Sequence, residues 1–272
     1  MTEGSLIAER MTEITVGLNP PVRSRLQVMR RFLLISLLLL IRGGSLPAVE
    51  DLIQETDQLF VARDDVKCLR QAIAILDQKL ASQPKDFEVL WRLAKYNYYL
   101  ADRVTDKNDK SKYYETGIDL AKTSIGINSQ RPEGHFWLAA NYGEYAQLKG
   151  IFKSLLLLRS IRTELEQAFS IDPGFDNGNL YLALGELSLR LPWLVGGNHQ
   201  RGLELLETGV RKAPKNADLS LTLAEYYVKD GRIPEARRLL EVVLTLGDPL
   251  RSPKEMEELR IRSRNLLKKT QK

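Results

Sequence analysis

Cysteine and histidine are scarce in this chain of 272 residues. Cys68 is the one cysteine, so neither a disulfide framework nor a cysteine-ligated metal site can form within the chain. The two histidines, His135 and His199, stand apart and belong to no HExxH-like metal motif. A Gly-x-Ser-x-Gly elbow and a phosphate-binding glycine loop are also missing. We therefore expect no catalytic residues, no metal and no cofactor, unless a histidine meets a carboxylate in a pocket.

A strong charge of either sign is missing too. The chain has 40 Lys and Arg against 35 Asp and Glu, a net charge of +5. Residues 1–48 contribute six Arg against three Glu, which leaves 34 positive against 32 negative residues in the rest. This near balance predicts no nucleic-acid partner and gives little support for membrane-surface binding by the folded body.

Long hydrophobic runs are limited to one. Residues 32–41 (FLLISLLLLI) are too few to cross a bilayer, which takes about 20 residues. Their length suits a secretory signal, with Arg30 and Arg31 as its positive start and Gly43-Gly44-Ser45 as small residues near a cut. The alternatives are an uncleaved membrane anchor and a buried first helix. No cysteine follows that would carry a lipid, so we expect an exported, soluble periplasmic protein.

Domain boundaries follow from this segment. If Met29 is the true start, residues 1–28 are a mis-annotated extension, and otherwise they form a disordered one. Residues 29–48 are the signal-like segment, 49–250 a helical body and 251–272 a basic C-terminal helix. Ser252, Pro253 and Glu255 read as the capped start of this last helix, which we interpret as a solenoid cap.

The sequence of the helical body indicates repeated helical hairpins. In one copy Leu223-Ala224 and Tyr227 share a helix face, Gly231 ends that helix, and Ala236, Leu240 and Val243 follow. An earlier copy places Leu184-Gly185 before Gly202, Leu206 and Gly209, and corresponding hairpin ends fall at residues 84, 129, 173, 214 and 248. Small residues at this spacing let paired helices approach closely, which is typical of tetratricopeptide (TPR) repeats. The prediction is an all-α TPR-like solenoid of about five helix pairs with a C-terminal capping helix.

Three stretches depart from a bare repeat. The first is a helix that carries Phe136, Trp137, Asn141 and Glu144, where the asparagine would bond either a ligand or a loop carbonyl. The second is residues 155–158, four leucines that surround a helix and require an oligomer contact, an apolar pocket or a sandwiched helix. The third is an insertion, residues 191–198 (LPWLVGGN), in which Trp193 closes a groove or plugs the repeat stack.

These stretches carry a family resemblance over about residues 65–249. Leu184-Gly185, Gly196-Gly197-Asn198 and Gly202 with Leu206 and Gly209 resemble the T component of TPR-associated TRAP transporters, the TatT family. The helix with Trp137, Asn141 and Gly143 is also similar to that family, and a related pattern occurs in the regulators of microtubule dynamics. The TatT resemblance implies a homo-oligomer, commonly a trimer. It also implies a periplasmic solute-binding protein as partner and a cleft for an apolar small molecule.

The sequence thus predicts a non-enzymatic docking protein. The alternatives are a general TPR scaffold for cell-envelope complexes, which would have a polar groove, and a relative of the regulators of microtubule dynamics. The ligand or partner groove is predicted from aromatic and polar side chains expected on one concave face: Trp91, Tyr98, Phe136, Trp137, Asn141, Glu144, Trp193 and Asn198.

Overall fold

The computed structural model describes residues 49–248 and 251–270. The chain divides into two units, residues 1–52 and residues 53–272. The first described helix begins in the first unit, and all later helices belong to the second. The predictions for residues 1–48, the extension and the signal-like segment, lie outside the described residues.

Eleven α-helices and one short 3₁₀ helix account for the regular structure of the described residues. They are α1 (Val49–Val61), α2 (Val66–Ser82), α3 (Phe87–Arg103), α4 (Lys107–Ile127), α5 (Pro132–Lys149), α6 (Ile151–Ile171), α7 (Phe175–Arg190), the 3₁₀ helix (Trp193–Val195), α8 (His199–Lys212), α9 (Ala217–Lys229), α10 (Ile233–Thr245) and α11 (Pro253–Lys269). In chain order they form five pairs followed by one more helix, which confirms the predicted all-α repeat architecture.

The repeat positions read from the sequence form the core. Leu206, Ala224 and Leu240 are fully buried, and so are the corresponding Ala72 and Leu76 of the first pair. Small residues allow this close approach, because a Cβ at Gly185 would lie 2.8 Å from Leu206 of the facing helix. Each fully buried leucine contributes about 1.5–3 kcal/mol of transfer free energy, so the repeated pattern alone stabilises the stack of helices.

Short polar side chains set most helix starts. Asp65, Asp86, Asp106 and Asn216 each accept a hydrogen bond from a backbone N–H of the first helical turn. The cap at Asp106 sets the start of α4. The helix begins at Lys107, within a charged stretch of residues 105–110, because the Asp106 carboxylate satisfies free N–H groups of its first turn.

The insertion between α7 and α8 is a tight turn. Pro192 follows the end of α7, and Asn198 caps α8 by accepting from the Arg201 N–H, as the sequence indicates. Glycine is required at Gly196 because its φ is +87°, in the left-handed region. At Gly197 the reason is space, because a Cβ there would overlap the Leu191 carbonyl oxygen.

The last helix does more than cap the stack. Met256 and Leu259 of α11 are buried against the C-terminal core, and the predicted capping box at Ser252 and Glu255 is present. The start of α11 also contacts the turn between α1 and α2. There the Asp64 carboxylate accepts from the Ser252 hydroxyl at 2.5 Å and from the Lys254 N–H at 3.1 Å. The two ends of this unit therefore meet, and the concave side of the repeats is closed by α11.

Candidate functional site

The concave side of the repeats holds a cavity of about 690 Å³ that opens to solvent. Aromatic side chains of α3, α4 and α5 form one wall, namely Tyr98, Tyr99, Tyr114, Phe136 and Trp137. The Tyr98 ring centroid lies 5.7 Å from that of Trp137 and 6.1 Å from that of Tyr114. Successive helix pairs place these residues in register, so the wall is continuous across three helices.

Charged side chains from α3, α5, α7, α9, α11 and the segment just before α11 complete the lining. The carboxylates are Asp102, Glu144, Asp176, Glu186, Asp218, Glu255 and Glu258, and the guanidiniums are Arg190, Arg251 and Arg262. Each of these three arginines already pairs with a carboxylate, namely Glu186, Asp218 and Glu225 respectively, at 2.5–2.7 Å. Glu255 in turn pairs with Arg63 and Arg103, which lie outside the lining, at 2.5 and 2.7 Å. The excess of negative charge in the lining therefore rests on Asp102, Glu144, Asp176 and Glu258.

Asp102 and Glu144 form the acidic group nearest the aromatic wall. Burial and the Asp102 charge raise the pKa of Glu144, while the positive charges of Lys110 and Arg190 lower it only in part. Burial, followed by the Glu144 charge, raises the pKa of Tyr98 and of Tyr114. These shifts show that two like charges and two phenols share one poorly solvated region, where a cation would be stabilised.

A strained turn places Asp176 in the lining. Asp176 and Asn177 have φ values of +52° and +55°, which only a few per cent of non-glycine residues adopt. The Asn216 amide holds the turn by donating to the Asn177 carbonyl at 2.9 Å and to Asn179 Oδ1 at 3.0 Å. Such outliers persist where surrounding contacts fix them, and here they orient a carboxylate toward the cavity side of α7.

The structure brings together four of the eight side chains predicted for the groove. Tyr98, Phe136, Trp137 and Glu144 line the cavity. Trp137 is 3% exposed, and its Nε1 has no acceptor among the described residues. It therefore packs the wall and also presents a buried N–H beside the cavity.

The other four lie elsewhere, so the expected convergence of all these residues is wrong. Trp91 is half-buried against the core, donates to Glu88 at 2.9 Å and packs against the Arg92 guanidinium. Asn141 is fully buried and donates to the Trp137 and Ala94 carbonyls, so it joins α5 to α3. Trp193 is 79% exposed and neither closes a groove nor plugs the stack, and Asn198 is a helix cap. The short 3₁₀ helix points its side chains away from the repeats, which the sequence did not reveal.

Sequence reasoning missed several lining residues. Asp102 lies one helical turn after Tyr98 on α3, so helical spacing could have located it. Asp176, Arg251 and Glu255 had no such signal, because their position depends on a left-handed turn and on the closure by α11.

Among the described residues, no group of three His, Cys, Asp or Glu side chains lies close enough to hold a metal ion. No described helix has both the length and the apolar character needed to cross a bilayer.

His135 has the carboxylate neighbour that a catalytic role would require, but both nitrogens of its ring already have hydrogen-bond partners. Its Nδ1 lies 2.6 Å from Glu164 Oε2, and its Nε2 lies 3.1 Å from the Ser129 carbonyl. The ring is buried between α5 and α6, and it does not line the cavity. With acceptors at both nitrogens, the doubly protonated ring is favoured, and Glu164 raises the pKa of His135.

A pH-dependent stability contribution follows from His135. Because its folded pKa is raised, the stabilisation is full below the unfolded value of about 6.5 and is lost as pH rises through the folded pKa. NMR titration of the ring protons should place the pKa above that value and show it falling in Glu164→Gln. Glu166→Gln, an exposed neighbour on α6, is the control. An unchanged His135 titration in Glu164→Gln would contradict the assignment.

The paired helices and the small residues at their contacts define a tetratricopeptide-repeat protein. A TPR family model matches residues 196–247. A second family model, described as regulator of microtubule dynamics protein 1-3, matches residues 52–189, just over half of the chain. The chain therefore belongs to the regulator of microtubule dynamics 1-3 family, which the sequence analysis named as one alternative.

Mammalian relatives agree with this assignment. Regulator of microtubule dynamics protein 3 of Bos taurus is 24% identical over 247 residues, which covers 80% of this chain and 50% of the relative. The Mus musculus protein of the same name is 24% identical over 208 residues, covering 69% of this chain and 43% of the relative. The chain thus spans half or less of the length of these curated relatives.

A solved structure shares the fold. The crystal structure of a thermophilic TPR protein of Thermus thermophilus superposes with a TM-score of 0.54 and 19% sequence identity. The likeness covers 79% of this chain and 98% of the thermophilic protein. At this level of identity it supports the fold alone.

Proposed function

We propose that this protein is a non-catalytic docking protein that receives a cationic segment of a partner protein in its concave cavity. The observation that carries the proposal is the lining: four carboxylates that its arginines do not neutralise, Asp102, Glu144, Asp176 and Glu258, lie beside a wall of five aromatic rings. TPR proteins present extended concave surfaces for binding, and here closure by α11 turns that surface into a cavity.

The aromatic wall and the acidic group suit the same ligand. A lysine or arginine side chain gains both from a ring face within about 6 Å and from a nearby carboxylate. Tyr98 supplies the ring face, because Trp137 behind it is buried and already has Lys95 Nζ 5.5 Å from its ring centroid. Glu144 supplies the carboxylate, about two turns after Trp137 on α5. The half-buried position of Glu144 strengthens such a pair, because the effective dielectric constant is lower there than in bulk water.

An apolar small molecule fits the lining less well. Such a ligand would bury Asp102, Glu144 and Asp176 against hydrocarbon without a compensating charge, which is costly. A polar groove is the feature that separates a general protein scaffold from an apolar carrier, so the lining favours the scaffold. A catalytic role gains no support either, because both nitrogens of His135 already have partners.

Peptide binding to the full-length protein tests the proposal. We expect a fluorescein-labelled hexaarginine peptide to bind, and a hexaglutamate peptide of equal length not to bind, in fluorescence anisotropy. The double variant Asp102→Asn/Glu144→Gln should weaken hexaarginine binding at least about tenfold, since hydrogen bonds to charged groups contribute about 1.5–3 kcal/mol. Glu257→Gln, an exposed carboxylate of α11 outside the cavity, should leave it unchanged.

Two results would overturn the proposal. One is equal loss of hexaarginine binding in the double variant and in Glu257→Gln, which would indicate a diffuse surface charge effect. The other is tight binding of decanoate that neither peptide displaces, which would indicate an apolar carrier. Binding should also weaken as pH falls through the raised pKa of Glu144, since the protonated acid no longer attracts a cation.

The partner's identity and the location remain predictions drawn from the sequence. The TatT resemblance predicts a periplasmic solute-binding subunit and a homo-oligomer, and the signal-like residues 29–48 predict export. Crosslinked pull-down from the envelope fraction with mass spectrometry tests the partner, and light scattering of the purified protein tests the oligomer. Recovery of unrelated proteins alone would reject the transporter partner and leave the cationic-segment proposal to the peptide experiment.

A further inference from the structure

Exposed apolar side chains concentrate on one part of the surface, away from the cavity. Seven of the eleven large apolar side chains that are exposed among the described residues belong to α6 or to the 3₁₀ helix. We call them the α6 patch: Ile151, Phe152, Leu155, Leu156, Trp193, Leu194 and Val195. Phe152 is 82% exposed and Leu156 is 75% exposed, so the first half of the leucine run of residues 155–158 is not covered by the repeat stack.

The two segments of the patch are joined by Arg162. Its Nη2 donates to the Val195 carbonyl at 3.0 Å and to the Gly196 carbonyl at 3.1 Å. Leu155 and Arg162 are seven residues apart on α6, so they share a helix face at a separation of about 10 Å along the axis. The 3₁₀ helix with Trp193 therefore lies at the end of the same face that exposes Leu155.

The two sequence segments that carry the patch contain positively charged residues and no negatively charged ones. Residues 145–163 contain Lys149, Lys153, Arg159 and Arg162 and no acidic residue, and residues 187–203 contain Arg190, Arg201 and His199 and no acidic residue. Some of these cations have acidic neighbours on other elements: Lys149 lies 3.9 Å from Glu115, Arg201 lies 3.9 Å from Glu166, Arg190 pairs with Glu186, and Lys153 borders Glu115 and Asp119.

Arg159 and Arg162 are different, because neither has an acidic partner among the described residues. Arg159 is exposed and lies between the exposed leucines and Arg162 on the same face. The near balance of charge over the whole body thus hides a local region that is apolar and positive at once.

We propose that the α6 patch is a peripheral membrane-binding surface that inserts its apolar side chains into the interface of a bilayer with anionic lipids. Apolar side chains flanked by Lys and Arg, with a tryptophan at the edge, match both the interfacial region and the negative headgroups. A second copy of the chain is a poorer occupant. A two-fold symmetric contact would place the positively charged patches of two copies against each other, and like charges repel. This inference does not depend on the cavity.

Fluorescence of the full-length protein with vesicles tests the surface directly. The probes are vesicles of phosphatidylcholine with 30% phosphatidylserine, alone or with brominated acyl chains, and vesicles of phosphatidylcholine alone. We expect brominated anionic vesicles to quench tryptophan emission, and Trp193→Phe to abolish the quenching, because Trp91 and Trp137 lie away from the patch. Phe152→Ser/Leu156→Ser should reduce partitioning at least about tenfold. Arg159→Glu should reduce partitioning to anionic vesicles alone.

The matched control replaces two exposed apolar residues outside the patch. Val242→Ser/Ile261→Ser changes side chains that are 43% and 46% exposed, and it should leave partitioning unchanged. Quenching that persists in Trp193→Phe, or partitioning that survives Phe152→Ser/Leu156→Ser, would overturn the proposal and assign binding to another segment such as residues 32–41. Self-association in light scattering that the serine variants abolish, without any quenching by vesicles, would overturn it in favour of a contact between copies.

Discussion

Replacing Glu255 by alanine should lower the free energy of unfolding by about 3–5 kcal/mol, because it leaves two largely buried guanidiniums without their carboxylate. Glu255 Oε2 lies 2.5 Å from Arg63 Nη2, and its Oε1 accepts from Arg103 Nη2 at 2.7 Å. Arg63 is 1% exposed, so water cannot replace the lost partner. Urea denaturation followed by circular dichroism measures the loss.

The control for this variant lies on the same helix. Glu257 pairs with Arg264 at exposed positions, so Glu257→Ala should change the free energy of unfolding by no more than about 0.5 kcal/mol. Equal effects of the two substitutions would mean that the contact of α11 with the first turn contributes nothing to stability.

The same contact should depend on pH in a defined direction. Burial alone would raise the pKa of Glu255, but hydrogen bonds from Arg63 and Arg103 outweigh it and hold the pKa below its usual value. The stabilisation is therefore present at neutral pH and is lost as pH falls through the lowered folded pKa. Glu255→Ala should flatten that part of the stability curve.

Gly117→Ala should destabilise the protein by about 1–3 kcal/mol, although alanine normally favours a helix. A Cβ at this position would overlap Asn141 Oδ1 and lie 2.6 Å from its Cγ. Asn141 cannot move aside without cost, because it is fully buried and its amide donates to the Trp137 carbonyl at 2.7 Å. Chemical denaturation of the variant gives the magnitude.

Gly126→Ala is the matched control on α4, because a Cβ there meets nothing within 4 Å. It should stabilise the protein by about 0.5–1 kcal/mol through helix propensity. In the double variant Gly117→Ala/Asn141→Ala the overlap is removed. Its loss of unfolding free energy should therefore be smaller than the sum of the losses in the two single variants. If Gly117→Ala stabilises the protein as Gly126→Ala does, α4 and α5 leave room for a methyl group at Gly117, and the prediction is wrong.

The repeat architecture was predictable because its cause is local. A TPR helix pair is specified by small and large residues at helical spacing, and Leu223-Ala224, Gly202 and Leu206 show that spacing within a few turns. Caps at Asn198 and Ser252 were predictable for the same reason, since a cap involves only the first turn of its own helix.

Cavity residues were predictable only where they occupy the concave side of successive repeats. Tyr98, Phe136, Trp137 and Glu144 follow the concave side of successive repeats, so their shared location follows from the repeat itself. Asn141 was misplaced because a buried amide and a groove amide look alike in sequence. Its role became clear only from Gly117 on the neighbouring helix.

By itself, the sequence determined the helices, their pairing, the capping helix and half of the predicted groove residues. The tertiary structure decided the rest: that α11 reaches back to Arg63 across 192 positions of the chain, that Asp176 turns toward the cavity, and that Trp193 faces outward beside α6. Helical spacing encodes contacts within about one turn and one repeat. A closure between distant ends depends on the small rotation added by every pair, which no single stretch of sequence contains.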